Sequence, residues 1–478
     1  MHRSGGESMY RDRTDSYIES KREEMLEDLK TLVRINSQRG EAKEGKPFGE
    51  GPAAVLAQAQ EMMEKYGLRV RNYENYVVTG DFGPADKELD ILAHLDVVPV
   101  TEDWTVTAPF EPLITDGRIY GRGTADDKGP AIAALYAIRA VIELGLPLKK
   151  GVRLILGSDE ECGSSDLAYY YGIEKEAPCT FTPDADFPVI NLEKARLAKS
   201  FTASYKKQEA LPALICLEAG SKVNVVPANA AAKVAGLDEE TVRAAAAEKE
   251  SETGVSFTVT TEDGVCLIQA KGVAAHGSTP EAGNNALTAL LALLDTLPLA
   301  AGTARDLIHS LAAMYPHGDT EGRTIGVAMQ DDKSGALSMN LGILKMTETD
   351  LYGEFDVRAP LCATDENLTE VVRRRFAEAG IMMEPGNMKK AHYVPEDTDF
   401  VKTLLTSYEH YSGKPGKALY TGGGTYVHEL ERGVAFGCMS EDVDNHMHGD
   451  DEFMVIDTLI MSAKIFADVI MKLCGENE

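Results

Sequence analysis

Apolar positions along the chain fall into two rhythms, one helical and one of short strands. Ile18, Met25, Leu29, Leu32 and Val33 predict an amphipathic helix over 15–35, preceded by a loose tail over 1–12. A second helix is predicted over 51–66, stopped by Gly67. Residues 69–78 alternate as a strand does. The run 89–95 is short and mostly apolar, which predicts a central strand. After Lys128, the residues Ile132, Leu135, Ile138, Val141 and Ile142 return to helical spacing, and apolar strands follow at 152–157 and 179–182. Strand, helix and strand in this order predict βαβ units and a mostly parallel sheet.

From about Glu193 the pattern changes. Segments 197–205, 214–218 and 255–260 read as half-exposed strands. The alanine- and charge-rich stretch 230–250 reads as a helix, 284–297 as another, and 339–344 and 351–357 as two more antiparallel strands. Near Lys390 the first pattern resumes, with a helix over 398–411, a glycine loop over 420–425, a strand over 434–439 and a closing amphipathic helix over 456–473. The fold class is therefore α/β: a mixed, mostly parallel sheet flanked by helices, interrupted by an inserted α+β domain. The expected boundaries are 13–192 and 391–478 for the two parts of the sheet domain and 193–390 for the insert, which is long enough for two α+β halves.

Composition narrows the function. A net charge of −29 argues against a nucleic-acid partner and against binding to an anionic membrane. No apolar run approaches the roughly 20 residues of a membrane span, and residues 1–30 are charged, without an apolar signal core. Seven cysteines, scattered and odd in number, lack CxxC spacing, which suits reduced thiols in a cytoplasmic protein.

The candidate chemistry lies at strand ends. His94 and Asp96 end one strand, Glu160 and Glu161 follow the next, and Asp184 follows the third. Asp126 and Asp127 stand where a loop opens the helix after Lys128, and His446 and His448 follow the last strand. In open α/β sheets this edge is where ligands bind. Clustered carboxylates there would repel one another unless a cation sat between them. A cysteine-free His/carboxylate set suits Zn²⁺, Mn²⁺ or Co²⁺. Glu160 and Glu161 cannot both face one site from a regular strand, where neighbours point to opposite sides, so they are expected in the turn after it.

At these residues the chain resembles the aminoacylase/carboxypeptidase-type co-catalytic metallopeptidases, and within them the dipeptidase V-like, carnosinase-like branch. The matching text is His94-Leu-Asp-Val-Val-Pro, Gly121-Arg-Gly-Thr-Ala-Asp-Asp-Lys-Gly, Gly157-Ser-Asp-Glu-Glu, Thr182-Pro-Asp-Ala-Asp-Phe-Pro, Asn224-Val-Val-Pro, Ala275-His-Gly-Ser-Thr-Pro, Gly422-Gly-Gly-Thr-Tyr and His448-Gly-Asp-Asp-Glu. The resemblance implies a zinc-peptidase-like catalytic domain with an inserted lid and two divalent ions per chain, zinc by default. It makes Asp126 the bridge between them, His94 and Asp184 the further ligands of one ion, and Glu161 and His448 those of the other. Its His-x-x-x-Glu pattern selects His448, with Glu452, over His446. Asp96 would orient the His94 ring, Glu160 would be the general base acting on water, and the Asp126–Asp127 bond would be cis. Asp127 is then left as a helix cap or a support to the ligands. On the lid, His276 would stabilise the oxyanion, while Asn224 and Arg358 would hold the substrate carboxylate. Gly423, Gly424 and Thr425 would offer it backbone N–H groups. The implied activity is hydrolysis of dipeptides or short peptides with a free C-terminal carboxylate, by a monomer. An N-acyl amino acid deacylase or desuccinylase on the same site is the alternative, and a binding module without catalysis is a third reading.

Overall fold

The computed structural model describes residues 4–476. They form two compact units. The first comprises the described residues up to Leu192, His392–Leu419 and the described residues from Gly424 on; the second comprises Glu193–Ala391 and Tyr420–Gly423.

The first unit is built on a nine-stranded sheet. Four central strands run parallel in the order Gly151–Gly157, Lys87–His94, Cys179–Thr182 and Gly433–Ala435. Parallel character is confined to this centre: Arg69–Tyr73 and Val77–Phe82 flank it antiparallel on one side, and Val189–Glu193 on the other. Every residue of Gly151–Gly157 and of Cys179–Thr182 is buried, as strands covered on both faces must be. The helix Lys128–Glu143 packs against the sheet and against Ile456–Cys474, and it buries charged and apolar positions alike up to Val141. Because the four strands share one direction, His94, Gly157, Thr182 and Ala435 all end at the same edge. No helix among the described residues is long and apolar enough to cross a membrane.

The N-terminal segment differs from the expectation. Helix Ser4–Ser20 occupies most of the predicted tail, and a break at Lys21 separates it from helix Arg22–Val33. The reason is tertiary. Tyr10 Oη and Arg11 Nε donate to Asp468 Oδ1 at 2.9 and 2.7 Å, and Thr14 and Ile18 are fully buried.

The second unit is an eight-stranded antiparallel sheet with its own apolar core. Ala213–Ala219 pairs with Ser338–Met346, so one continuous sheet runs through both halves of the insert. The predicted helix over 230–250 is half wrong. Asn229–Ala235 is a strand, and the helix is Glu239–Thr253. Within the strand, Ala230, Ala232 and Val234 are buried while Lys233 is exposed, a period of two that the alanines concealed.

The Tyr420–Gly423 segment also departs from the predicted boundary, which put it with the sheet domain. Lys194 N–H donates to the Thr421 carbonyl at 3.0 Å, and Arg358 Nη1 donates to the Gly422 carbonyl, which ties the segment to the second unit.

Candidate active site

Three strand ends and two loops of the first unit converge on Asp126. One carboxylate oxygen, Oδ1, lies 2.9 Å from His94 Nε2; the other, Oδ2, lies 2.8 Å from His448 Nε2. Asp184 Oδ2 stands 3.6 Å from His94 Nε2, and Glu161 Oε1 stands 3.3 Å from His448 Nε2. Two imidazoles and three carboxylates thus arrange themselves as two sets sharing Asp126. His446 is not among them. Its Nδ1 donates to the Asp450 carbonyl at 3.2 Å within its own loop.

The donor set fits a metal centre on its own chemistry. His94 Nδ1 faces the Asp96 carbonyl oxygen at 3.0 Å. A carbonyl only accepts, so Nδ1 carries a proton, and in the neutral ring Nε2 presents a lone pair. That Nε2 and Glu161 Oε1 are buried without a hydrogen bond. One donor atom each from His94, Asp126 and Glu161 lie within 4.8 Å of one another. Burial of such groups is costly unless a cation compensates. The titration behaviour has the same origin. Burial, then repulsion from Asp126, pushes Glu161 up to about 7 and Asp184 up to about 6. Burial also drives Glu160 well above the carboxylate range, with Asp184 and Glu161 adding to the rise. Contacts with Asp126 and Glu161 hold His448 up at about 11.

Local structure explains how the side chains reach this point. Glu160 and Glu161 lie in the single-turn 3-10 helix Glu160–Cys162, just past the strand end. The Glu452 carboxylate, fully buried, accepts from the amides of Gly123, Ala125 and Asp126 at 2.9 to 3.1 Å and pairs with Arg122 at 2.7 Å. It therefore fixes the backbone of Asp126 from a position four residues after His448. The Asp126–Asp127 peptide bond is cis.

One expected role narrows and another changes. Asp127 sits at the N-cap position, but its side chain makes no cap bond; its Oδ2 accepts from His94 N–H at 3.0 Å. Asp96 meets the His94 ring through its carbonyl, its carboxylate being 3.5 Å from Nδ1. That carboxylate instead accepts from the amides of Glu160 and Glu161, both at 3.1 Å.

A family model described as Peptidase family M20/M25/M40 matches residues 91–472. The chain belongs to this peptidase family. The M20 chain is 34% identical over 469 residues to the Beta-Ala-Xaa dipeptidase of Lactobacillus delbrueckii subsp. lactis, covering 96% of this chain and 98% of that relative. Among solved structures, human carnosine dipeptidase 1 superposes with a TM-score of 0.58 at 15% identity, over 97% of this chain and 98% of that one. Aminoacylhistidine dipeptidase from Vibrio alginolyticus gives 0.58 at 13%, over 95% and 97%. At such identities the two structures show a shared fold.

The second unit of this M20 peptidase holds Asn224, His276, Arg358 and Gly423 of the other expected residues. Gly277 N–H donates to the Asn224 carbonyl at 2.7 Å, and Val225 bridges to His276. Asn340 Nδ2 donates to the carbonyls of Val223 and Val225 at 3.2 and 3.0 Å, holding the Asn224 turn. A Cβ on Gly422 would lie 2.7 Å from Ser278 Cβ, so the glycine is needed for close approach. Arg358 is not an open fork: buried, it donates through Nε to Asp356 Oδ2 at 2.9 Å and through Nη1 to the Gly422 carbonyl. The Gly423 amide is likewise engaged, by Thr421 Oγ1 at 2.9 Å. Gly424 belongs to the first unit, as does Thr425, whose hydroxyl caps the 3-10 turn Tyr426–Glu429.

Sequence reasoning passed over Asp166, and it named Ser278, Tyr426 and Glu452 only as parts of patterns. The available signals were weak: a serine two residues after His276, and an aspartate five after Glu161.

Proposed function

We propose that this M20 peptidase is a metal-dependent dipeptidase that cleaves short peptides with a free C-terminal carboxylate, with Glu160 as general base. The observation that carries the reading is Asp126, whose two oxygens face two different histidines at 2.9 and 2.8 Å. His94, Asp184 and one Asp126 oxygen would hold one divalent ion; His448, Glu161 and the other oxygen would hold the second. Such ions, when bound, supply Lewis-acid polarisation and acidify water. The donor chemistry supports Zn²⁺, with Mn²⁺ or Co²⁺ also suited to a set richer in carboxylate oxygen than in imidazole nitrogen.

In this reading, Glu160 takes a proton from the attacking water on its carboxylate and delivers it to the leaving amine nitrogen. Asp96 holds the Glu160 and Glu161 amides, which supports an orienting role for it. His276 is assigned to the oxyanion, and Asn224, Arg358, Gly423, Gly424 and Thr425 to the substrate carboxylate. The commitments of the Arg358 fork and of the Gly423 amide make these two the weaker members of that set. The insert is long enough for two α+β halves, which in the resembling branch goes with a monomer, and the scattered cysteines without CxxC spacing support a cytoplasmic location.

The Lactobacillus relative is named for β-alanyl dipeptides and the human structure for carnosine, so β-alanyl and α-aminoacyl dipeptides are the first substrates to test. The metal-reconstituted protein is expected to release amino acids from dipeptides and to leave their C-terminal amides intact. Faster turnover of N-acetyl or N-succinyl amino acids than of any dipeptide would replace this reading with the deacylase one. Binding of a dipeptide without cleavage, with Zn²⁺ or Mn²⁺ present, would leave only a binding module.

A further inference from the structure

The turn that presents Glu160 is held chiefly by its backbone, with Ser158 Oγ donating to the Tyr76 carbonyl at 2.9 Å and the Asp159 carboxylate accepting the Ser165 amide at 3.2 Å beside it. Four consecutive amides, those of Ser158, Asp159, Glu160 and Glu161, each donate to a carboxylate, and two carboxylates serve all four. Asp96 takes Glu160 and Glu161, one on each oxygen. Asp166 takes Ser158 at 2.6 Å and Asp159 at 3.0 Å, both on Oδ2. Its Oδ1 accepts the Leu167 amide at 2.7 Å.

The Asp166 carboxylate has one more partner. Tyr426 Oη donates to Oδ2 at 2.5 Å, and both side chains are buried, at 0% and 1% exposure. The contact is built into the strand end. A Cβ on Gly157 would stand 2.0 Å from Tyr426 Oη and 2.5 Å from Asp166 Oδ2, so only glycine admits the pair there. The Tyr426 ring also meets the His94 ring edge to face, with centroids 6.0 Å apart. Tyr426 thus touches the imidazole of one candidate ligand and, through Asp166, the turn that carries the base.

We propose that Asp166 and Tyr426 are a positioning pair for Glu160: Asp166 fixes the Ser158 and Asp159 amides, and the Tyr426 hydroxyl fixes Asp166. The inference rests on the reading of Glu160 as general base. Asp96 cannot do the whole task, because it holds only the downstream half of the turn. With the two upstream amides released, that half relies on the Ser158 and Asp159 side-chain contacts, so the turn shifts about Asp96 and the carboxylate of Glu160 moves relative to the water it must deprotonate. A misplacement of about 1 Å is enough to cost roughly 10²-fold in rate. Removing the hydroxyl leaves Asp166 with its three amide donors, so the turn loosens without losing its anchor.

The test uses the full chain loaded with Zn²⁺ or Mn²⁺ and a dipeptide that the unsubstituted protein hydrolyses. For Tyr426→Phe the expected result is unchanged metal content, KM within about threefold and kcat lower by about 10- to 100-fold. Because the two residues act through one carboxylate, Tyr426→Phe combined with Asp166→Asn is expected to be no slower than Asp166→Asn alone. Three results would overturn the proposal: kcat at the unsubstituted level in Tyr426→Phe, a raised KM at constant kcat, or lost metal with unchanged turnover per loaded site. If Asp166→Asn does not fold, Tyr426→Phe decides alone. An inactive Glu160→Ala beside a fully active Tyr426→Phe would sink this inference and leave the function standing, whereas an active Glu160→Ala would remove the base itself.

Discussion

In their neutral rings, two histidines of this chain are steered to opposite tautomers by what meets Nδ1. The Asp96 carbonyl places the proton of His94 on Nδ1 and frees Nε2 as a ligand. At His276 the Ser278 amide donates to Nδ1 at 3.2 Å, with the Ser278 hydroxyl 2.7 Å away, so the neutral ring carries its proton on Nε2 and is a donor there. A donor is what an oxyanion needs. His276→Ala is therefore expected to lower kcat by about 10² to 10³, measured under saturating dipeptide. Ser278→Ala keeps the amide bond and should cost less than about tenfold by the same measure. A His276→Ala protein with normal kcat would take the residue out of catalysis. At this scale the sequence was legible where a motif names a side chain and silent where one side chain acts through another's backbone. The Asp96 carboxylate illustrates this: it was expected on the His94 ring and is found on the Glu160 and Glu161 amides.

Between elements, the decisive connection runs from the segment after His448 to the loop before helix Lys128–Glu143. Glu452 makes it, accepting three amides and the Arg122 guanidinium in a fully buried place. Glu452→Gln would turn an amide group toward donors and leave Arg122 buried without its counter-charge. The expected outcome is a loss of about 3–5 kcal/mol in stability by denaturant unfolding. Affinity for Zn²⁺ by competition titration should also fall by about 10- to 100-fold. Unchanged metal affinity would separate Glu452 from the site. Strand and helix order could be read from apolar periodicity because buried parallel strands and the two central helices carry strong patterns. It failed where composition masked the period, as in Asn229–Ala235, and where distant contacts impose order, as Asp468 does on helix Ser4–Ser20. Asp127 was legible as either a helix cap or a support to the ligands, and the structure shows the support. A cap residue at a helix start is the ordinary reading, yet its carboxylate turns to the His94 amide.

Across the whole molecule, the first unit is assembled from stretches far apart in sequence, and four parallel strands bring their ends to one edge. The chain order of His94, Asp126, Glu161, Asp184 and His448 already suggested such a gathering, since each follows a strand or opens a helix. What the sequence did not supply was strand adjacency: Gly433–Ala435 enters the sheet beside Cys179–Thr182, more than 240 residues away in the chain. Membership of the M20 peptidases accounts for the shared fold, whereas the proposed chemistry rests on side chains that meet in this chain. The measurement that tests it most directly is the turnover of Glu160→Ala, reconstituted with Zn²⁺ or Mn²⁺, with metal content determined on the same sample. Removal of a general base is expected to lower kcat on a dipeptide by at least about 10² to 10⁴, with two metal ions per chain retained. Turnover within a few-fold of the unsubstituted protein at full metal content would contradict it.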